Sequence, residues 1–276
     1  MKKLCKTLTR AALAGAGFYL WAQTPRREHP GLGRLRRYRY AHRGLHDLEK
    51  GIPENTLPAF AAAAAKGYGA ELDVHMTLDR RLVVIHDSRL ERLCGTSAVV
   101  EELTYDELRA LPILGTAHRA PLLSEVLPLF AGRTPLIVEL KTWKHNAAQL
   151  CTLADAALRG SGCTYCVESF DPRAVRWFRK NSPETVRGQL SEDFLDHGDD
   201  SSLPLWQRFA MTHLLTNALT RPDFIAYNDP DREKLPVRIA CGLLGAQLVS
   251  WTIRSLEAMH RAEKAGAIVI FEHFTP

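Results

Sequence analysis

The chain alternates short apolar runs with amphipathic stretches from residue 37 to its end, and this alternation limits the fold more than any other feature. The apolar runs cover residues 37–41, 70–75, 82–86, 135–140, 164–169, 186–190, 224–228, 247–251 and 267–271. The helical stretches cover residues 56–66, 122–130, 146–159, 172–180, 205–219, 231–241 and 255–265, with Asn55 placed to cap the first and Gly67 to end it. Strands that alternate with helices predict a parallel sheet. The 276 residues suffice for a (β/α)8 barrel, which needs about 250.

Nine apolar runs are one too many for an eightfold barrel, and a hairpin accounts for the extra run. Only a short polar turn separates residues 70–76 from 82–86, which is too short for a helical crossover. The two runs are therefore antiparallel, and a turn centred between residues 79 and 80 sets Asp73 opposite His86. The sequence thus predicts an α/β fold, a (β/α)8 TIM barrel with a short insertion after the second strand hairpin.

Acidic side chains occur inside two of the apolar runs. Glu71 and Asp73 are two residues apart and so share one face of a strand, which in a barrel is the lumen. Glu139 and Lys141 are placed in the same way at the end of the next parallel strand. Buried carboxylates without a cation repel one another and are costly to desolvate. Three oxygen ligands at the mouth of a barrel indicate a divalent metal ion, Mg²⁺ or Ca²⁺.

The first barrel strand ends in a basic motif that suits a phosphate ligand. His42 and Arg43 stand where that strand stops, and Gly44 lets the chain turn. An arginine can bind a phosphate with two parallel hydrogen bonds. His42 and His86 can act as the acid and the base of a phosphodiester cleavage. The combination predicts a metal-dependent phosphodiesterase.

Five spaced motifs carry a family resemblance. They are His42-Arg43-Gly44, Pro53-Glu54-Asn55-Thr56, Glu71-x-Asp73, His86-Asp87 and Glu139-x-Lys141. Over residues 40–276 the chain resembles the glycerophosphodiester phosphodiesterase family and, more loosely, the phosphatidylinositol-specific phospholipase C barrels. The resemblance implies that Glu71, Asp73 and Glu139 hold the metal, that His42 and His86 transfer protons, and that Arg43 binds the phosphate.

The resemblance extends to three further segments. Residues 88–120 match the small insertion of the family, and Trp251 is expected at the mouth, among the substrate-binding residues. The last segment, 271–276, reads FEHFTP where many members have a Thr-Asp pair. This departure affects how the pocket for the glycerol or the leaving group is closed.

Several of these residues also have ordinary structural interpretations. Glu54 either favours the start of a helix through the macrodipole or supports Arg43 and the metal. Lys141 either neutralises the acidic cluster or contacts the phosphate. His75 is interpreted as a residue of the rim. Glu168 is interpreted as a locally paired acid.

The basic charge of the protein is concentrated in an N-terminal tail, residues 1–36, which precedes the barrel domain, residues 37–276. Residues 1–40 carry a charge of +9 and the rest of the chain −4, which disfavours a nucleic-acid-binding protein. Residues 11–25 are uncharged but shorter than the roughly 20 residues of a spanning helix. We interpret the tail as a membrane anchor or an interfacial helix with basic flanks. A secretory signal and a plain amphipathic tail are the alternatives.

The six cysteines are scattered, and Cys163 and Cys166 form a lone C-x-x-C without further zinc ligands. Buried free thiols fit a reducing compartment. We therefore expect the protein to be membrane-associated with its catalytic domain in the cytoplasm, or else to be a soluble cytoplasmic protein. The sequence does not indicate the oligomeric state.

The predicted reaction releases an alcohol and glycerol 3-phosphate from a glycerophosphodiester or a lysophospholipid. A lysophospholipase D- or phospholipase C-like lipid enzyme is the first alternative. A phosphate-binding module without catalysis is the second, which the pair of histidines disfavours. Residues 191–222 could form an apolar lid, but Leu205, Phe209 and Leu214 are expected to pack against the barrel.

Overall fold

A closed barrel of parallel strands dominates the computed structural model, which describes residues 2–26, 29–196 and 203–276. The strands are β1 (Tyr40–Ala41), β2 (Gly69–Met76), β3 (Leu82–Val84), β4 (Leu136–Leu140), β5 (Tyr165–Ser169), β6 (Arg187–Ser191), β7 (Phe224–Asn228), β8 (Gln247–Ile253) and β9 (Ile268–Phe271). β1 pairs in parallel with both β2 and β9, which closes the barrel. β3 pairs with β2 in antiparallel fashion, so eight strands form the barrel and the predicted fold is confirmed.

Helices surround the barrel at the predicted places, with two differences in extent. They are α1 (Lys2–Gln23), α2 (Leu32–Leu35), α3 (Leu57–Ala65), α4 (Glu91–Cys94), α5 (Tyr105–Ala110), α6 (Leu123–Phe130), α7 (Ala147–Arg159), α8 (Pro172–Asn181), α9 (Leu205–Thr212), α10 (Asn217–Thr220), α11 (Leu235–Val237) and α12 (Leu256–Lys264). The predicted helix 205–219 is broken at Leu214, which has a φ of +55°. The predicted helix 231–241 is replaced by a 3₁₀ turn, the short α11 and a π-helical turn at Arg238–Leu243.

The hairpin register differs by one residue from the predicted register. Val74 lies opposite Val84, and the amide of Ile85 donates to the carbonyl oxygen of Asp73 at 3.0 Å. Asp73 therefore faces Ile85, and the prediction that it faces His86 is wrong. The cause is the turn, which is centred on Asp79 and includes Arg80 with a φ of +64°. A loop with an odd number of residues shifts the pairing by one.

An apolar cluster lies inside the barrel and reaches the pocket through Leu190 and Ile270. Its members are Leu32, Leu35, Tyr40, Ile137, Cys166, Val186, Leu190, Phe224, Ala226, Val249, Ile268 and Ile270. Leu32 and Leu35 come from α2 and are 3% and 2% exposed. Residues 32–35 thus pack with the barrel, although the sequence analysis grouped them with the tail.

α1 is attached to the side of the barrel near α10. The Arg221 guanidinium lies 4.7 Å from the centre of the Trp21 ring, and Arg26 forms an ion pair with Asp223 at 2.7 Å. The Tyr19 hydroxyl lies 2.8 Å from Nδ1 of His213. Among the described helices, none combines the length and the apolar character that crossing a membrane requires.

The interpretation of the cysteines as free thiols is confirmed for those whose side chains are described. Cys94, Cys151, Cys163, Cys166 and Cys241 are all free. Burial raises the pKa of Cys151 and of Cys241 to about 12. These thiols are therefore protonated at neutral pH and serve as small apolar packing groups.

Gly188 allows two adjacent strands to pack closely inside the barrel. It lies on β6 directly opposite Phe224 on β7. A Cβ atom at this position would lie 2.0 Å from Cε2 of Phe224, which is itself 1% exposed. Because the surrounding core is closely packed, the ring has little room to move away.

We therefore expect Gly188→Ala to lower the free energy of unfolding by about 1–3 kcal/mol, the typical cost of overpacking a core. Urea denaturation followed by circular dichroism measures this change. Gly160→Ala is the matched control, because its added Cβ would come no closer than 3.9 Å to the carbonyl oxygen of Ala156. Equal stabilities of the two variants would contradict the packing argument.

Candidate active site

Three carboxylates converge at the carboxyl end of the barrel strands. Glu71 and Asp73 come from β2, and Glu139 comes from the adjacent β4, in register with Asp73. One oxygen from each of the three lies within 4.8 Å of the others. The residues are 3%, 1% and 6% exposed. The structure thus brings together the three residues that strand alternation placed in the lumen.

The positively charged groups of the site do not balance the negative charge of its buried carboxylates. Burial and the neighbouring Asp73 raise the pKa of Glu71 well above its usual value, and burial also raises that of Glu139. Burial and the charge of Glu139 raise the pKa of Glu168, on the neighbouring β5, in the same way. Oε2 of Glu168 has no hydrogen-bond partner among the described residues. The prediction that this acid is locally paired is therefore wrong. Such a set of oxygen donors fits a hard divalent cation.

Two cations lie among these carboxylates. Nζ of Lys141 is 2.7 Å from Glu139 and 3.1 Å from Asp73. Burial disfavours ionisation of Asp73, but Lys141 and its other partners outweigh burial and hold its pKa well below the usual value. Nη1 of Arg43 donates to Glu54 at 2.6 Å, while its Nε lies 3.5 Å from Asp73 without a hydrogen bond. Both cations line the pocket, where a phosphate can reach them.

Glu54 connects Arg43 to the insertion. Its carboxylate accepts hydrogen bonds from Nη1 and Nη2 of Arg92, each at 2.9 Å, in addition to the bond from Arg43. Glu54 lies before Thr56, the N-cap residue of α3, and is therefore outside the first turn of that helix. Its contact with Arg43 explains its position better than the helix dipole does. Glu54 therefore holds Arg43 in place at the edge of the pocket.

Two histidines line the same pocket, and each has a carboxylate behind it. Nδ1 of His42 lies 2.5 Å from Glu272, and Nδ1 of His86 lies 2.6 Å from Asp87. Nε2 of His42 is 3.9 Å from the nearest oxygen of Glu71. Burial lowers the pKa of His42, although the hydrogen bond to Glu272 offsets part of this effect. A carboxylate at Nδ1 fixes the tautomer and directs Nε2 to the substrate.

Two residues at the site were not identified as contributors by sequence reasoning. Glu272 binds His42 and Arg254, and these partners outweigh its burial and hold its pKa far below the usual value. The sequence signal for Glu272 is the unusual end of the chain, FEHFTP, which by itself indicates only a departure from the family pattern. Asn55 is not the helix cap that we predicted. It has a φ of +55° and donates from Nδ2 to Asp73 at 2.8 Å, while Thr56 takes the cap position.

His75 is not a rim residue, as the sequence analysis interpreted it. Its ring is buried, with Nδ1 at 2.6 Å from Glu101 and Nε2 at 3.0 Å from the backbone carbonyl oxygen of His86. Glu101 belongs to residues 88–120 and also accepts a hydrogen bond from Ser88 at 2.6 Å. His75 therefore fixes the end of the hairpin, and with it His86, to the insertion.

Two aromatic rings form part of the remaining wall of the pocket, beside Leu190, Ile270, Thr252 and Arg254. Trp251 and Phe170 line a cavity of about 150 Å³ together with the two histidines and the acidic cluster. The centres of the two rings lie 5.8 Å apart in an edge-to-face contact, and the rings of Phe170 and Phe194 make a similar contact with their centres 6.0 Å apart. Nε1 of Trp251 is buried and has no partner among the described residues. The wall can therefore offer one donor beside an apolar surface.

Known proteins with similar sequences and structures share one family description. The profile of the glycerophosphoryl diester phosphodiesterase family matches residues 42–275. A glycerophosphodiester phosphodiesterase of Caldanaerobacter subterraneus subsp. tengcongensis is 37% identical over 236 residues, 82% of this chain and 89% of that protein. The lysophospholipase D GDPD1 of Rattus norvegicus is 39% identical over 101 residues, 32% of each chain. An Oleispira antarctica phosphodiesterase, solved with the product sn-glycerol-3-phosphate, has a TM-score of 0.67 at 20% identity and covers 85% of this chain and 92% of its own.

The matches to three Bacillus proteins span only 43%, 62% and 44% of the lengths of those proteins. The family profile, in contrast, extends from His42 almost to the last residue and includes every motif of the pocket. The chain therefore belongs to the glycerophosphoryl diester phosphodiesterase family.

Proposed function

We propose that the protein hydrolyses glycerophosphodiesters to an alcohol and glycerol 3-phosphate in a metal-dependent reaction. The observation that carries this proposal is the pair of histidines, His42 and His86, each with a carboxylate at Nδ1 and both beside one acidic cluster. A module that only binds phosphate needs no paired proton carriers, so this arrangement favours an enzyme. Membership in the family supports the same reaction class.

A divalent cation, Mg²⁺ or Ca²⁺, fits the acidic cluster. Glu71, Asp73 and Glu139 would hold it, because all three are oxygen donors and the pKa of Glu71 is raised by its burial and by the neighbouring carboxylates. When bound, such an ion neutralises charge on the phosphoryl oxygens. The unpartnered Oε2 of Glu168 indicates that this region has unused capacity for a cation.

The side chains of this chain account for the other parts of the reaction. Arg43 and Lys141 would bind the phosphate, since both are cations on the pocket wall and Nε of Arg43 has no hydrogen bond in the described structure. One histidine would take a proton from the attacking hydroxyl, and the other would protonate the leaving alkoxide. Trp251 would cover the organic part of the substrate.

We further propose that residues 1–36 associate with a membrane surface and that lysophospholipids are a second substrate class. Ten Lys or Arg residues within the first 40 residues would attract anionic lipids. Trp21 and Phe18 are more than half exposed on α1, as expected of a helix that lies at an interface. The local similarity to a lysophospholipase D supports this substrate class. The free thiols support a cytoplasmic catalytic domain.

The proposed reaction predicts metal-dependent product release. Glycerol 3-phosphate should form from glycerophosphocholine with Mg²⁺ or Ca²⁺, should stop when a chelator is added, and should resume when the metal is restored. A coupled enzymatic assay of glycerol 3-phosphate measures this. Full activity in chelator would contradict the metal site. A folded, metal-loaded protein that cleaves no diester would instead support the binding module.

His86→Ala should lower kcat by about 100-fold or more, since it removes a proton carrier. His260→Ala is the matched control, because His260 is an exposed residue of α12 outside the pocket. Steady-state kinetics on glycerophosphocholine compares the two variants. Turnover near the wild-type value in His86→Ala would remove this histidine from the mechanism.

Glu272→Gln should lower kcat at least about tenfold and change KM much less, because the amide cannot stabilise the His42 imidazolium as a carboxylate does. Glu257→Gln provides the control, as the Glu257 side chain is 84% exposed and pairs only with Arg261 among the described contacts. A KM effect without a kcat effect would assign Glu272 to substrate binding instead.

A further inference from the structure

An exposed apolar patch lies on α9. Leu205 and Trp206 are 69% and 68% exposed, and Phe209 is 46% exposed. The apolar spacing of Leu205, Phe209 and Leu214 predicts packing against the barrel, but only Leu214 is buried. Several large apolar side chains exposed side by side on one short helix commonly mark a binding surface.

α9 is held on the mouth side of the barrel. It follows β6, whose last residue, Ser191, donates from Oγ to the carbonyl oxygen of Met211 at 2.8 Å. Nε of Arg208 donates to the carbonyl oxygen of Phe194 at 2.7 Å. The patch is therefore attached to the segment that leaves the carboxyl end of β6, beside the pocket.

An aromatic row connects the pocket to this helix. It begins with Trp251 and Phe170 on the pocket wall and continues through the edge contact of Phe170 with Phe194. Leu195, the next residue, is 40% exposed. The aromatic row thus runs from the pocket wall to Phe194, whose backbone carbonyl oxygen is bound by Arg208 of α9.

The other side of α9 leads to the N-terminal helix. The Phe209 ring lies 4.3 Å from the His213 ring, and Nδ1 of His213 contacts the Tyr19 hydroxyl of α1. α1 also exposes Phe18, and its first half contains Lys2, Lys3, Lys6 and Arg10 in sequence. α9 is therefore connected to the pocket through Phe194 and to the segment proposed to meet a lipid surface through His213.

We propose that the row Trp251–Phe170–Phe194 and the exposed side chains of α9 form a binding site for the acyl chain of a lysophospholipid. This inference rests on the proposed function and specifies its substrate. With the phosphate at Arg43 and Lys141, the glycerol carbons face the aromatic wall, and an acyl chain on the glycerol follows the row outward. A substrate without an acyl chain, such as glycerophosphocholine, uses the pocket alone.

Chain-length dependence tests this site without a membrane. For lysophosphatidylcholines with hexanoyl, octanoyl and decanoyl chains, used as monomers, kcat/KM of the wild type should rise about fourfold per added methylene that the site buries. Leu205→Ser/Trp206→Ser should flatten this rise and lower kcat/KM on the decanoyl substrate at least tenfold. It should change kcat/KM on glycerophosphocholine less than twofold. Both side chains are mainly exposed, so the variant should remain folded.

Leu219→Ser is the matched control, because Leu219 is 48% exposed on α10, at the amino-terminal end of the barrel. It should behave as the wild type on every substrate. An equal loss on glycerophosphocholine and on the decanoyl substrate would overturn the inference, and so would an unchanged chain-length profile in the α9 variant. A loss of dimers in light scattering with unchanged lysophospholipid kinetics would assign the patch to a second copy of the chain and also overturn it.

Calorimetry separates failure of this inference from failure of the proposed function. If the wild type cleaves neither substrate class, binding of decanoyl lysophosphatidylcholine to the metal-loaded protein still reports on the acyl site. Chain-length-dependent binding that is weakened in the α9 variant and kept in Leu219→Ser would support the site alone. Equal binding by all three proteins would overturn it.

Discussion

The balance of charge at the mouth of the barrel is the constraint on which the rest of the structure depends. Four buried carboxylates on β2, β4 and β5 face two partly buried cations, and Arg43 is also paired with Glu54. At an effective dielectric constant of about 20, two like charges 4 Å apart repel by about 4 kcal/mol. Such a term is comparable to a large part of the roughly 5–15 kcal/mol that stabilises a domain. The cations and the amide donor Asn55 offset part of this repulsion, and the proposed metal ion would offset more of it.

Strand alternation and the location of active sites in parallel barrels were enough to predict most of this cluster. Glu71 and Asp73 are two apart in an apolar run, and Glu139 occupies the same depth in the next parallel strand. Residues in this arrangement must meet, because neighbouring parallel strands carry matching positions at one height. The prediction of the fold succeeded for the same reason, since it depended on periodicity within short segments.

The parts that could not be predicted depend on contacts between distant segments. Glu272 is 230 residues from His42, and no local pattern indicates that they meet. The register of the hairpin depended on one residue of turn conformation, and Asn55 had two competing uses within hydrogen-bonding reach. The exposure of Leu205 and Phe209 was misjudged because a helical apolar stripe has the same appearance in sequence whether it faces a core or a ligand.

The pairing of His42 with Glu272 links the first and the last strand of the barrel. His42 follows the first strand and Glu272 follows the last, and these strands are neighbours only in the closed barrel. A chain still emerging during synthesis, or one cut before its final strand, therefore lacks this pair however well its other strands have formed. The His42–Glu272 pair is therefore completed in the same event that closes the barrel.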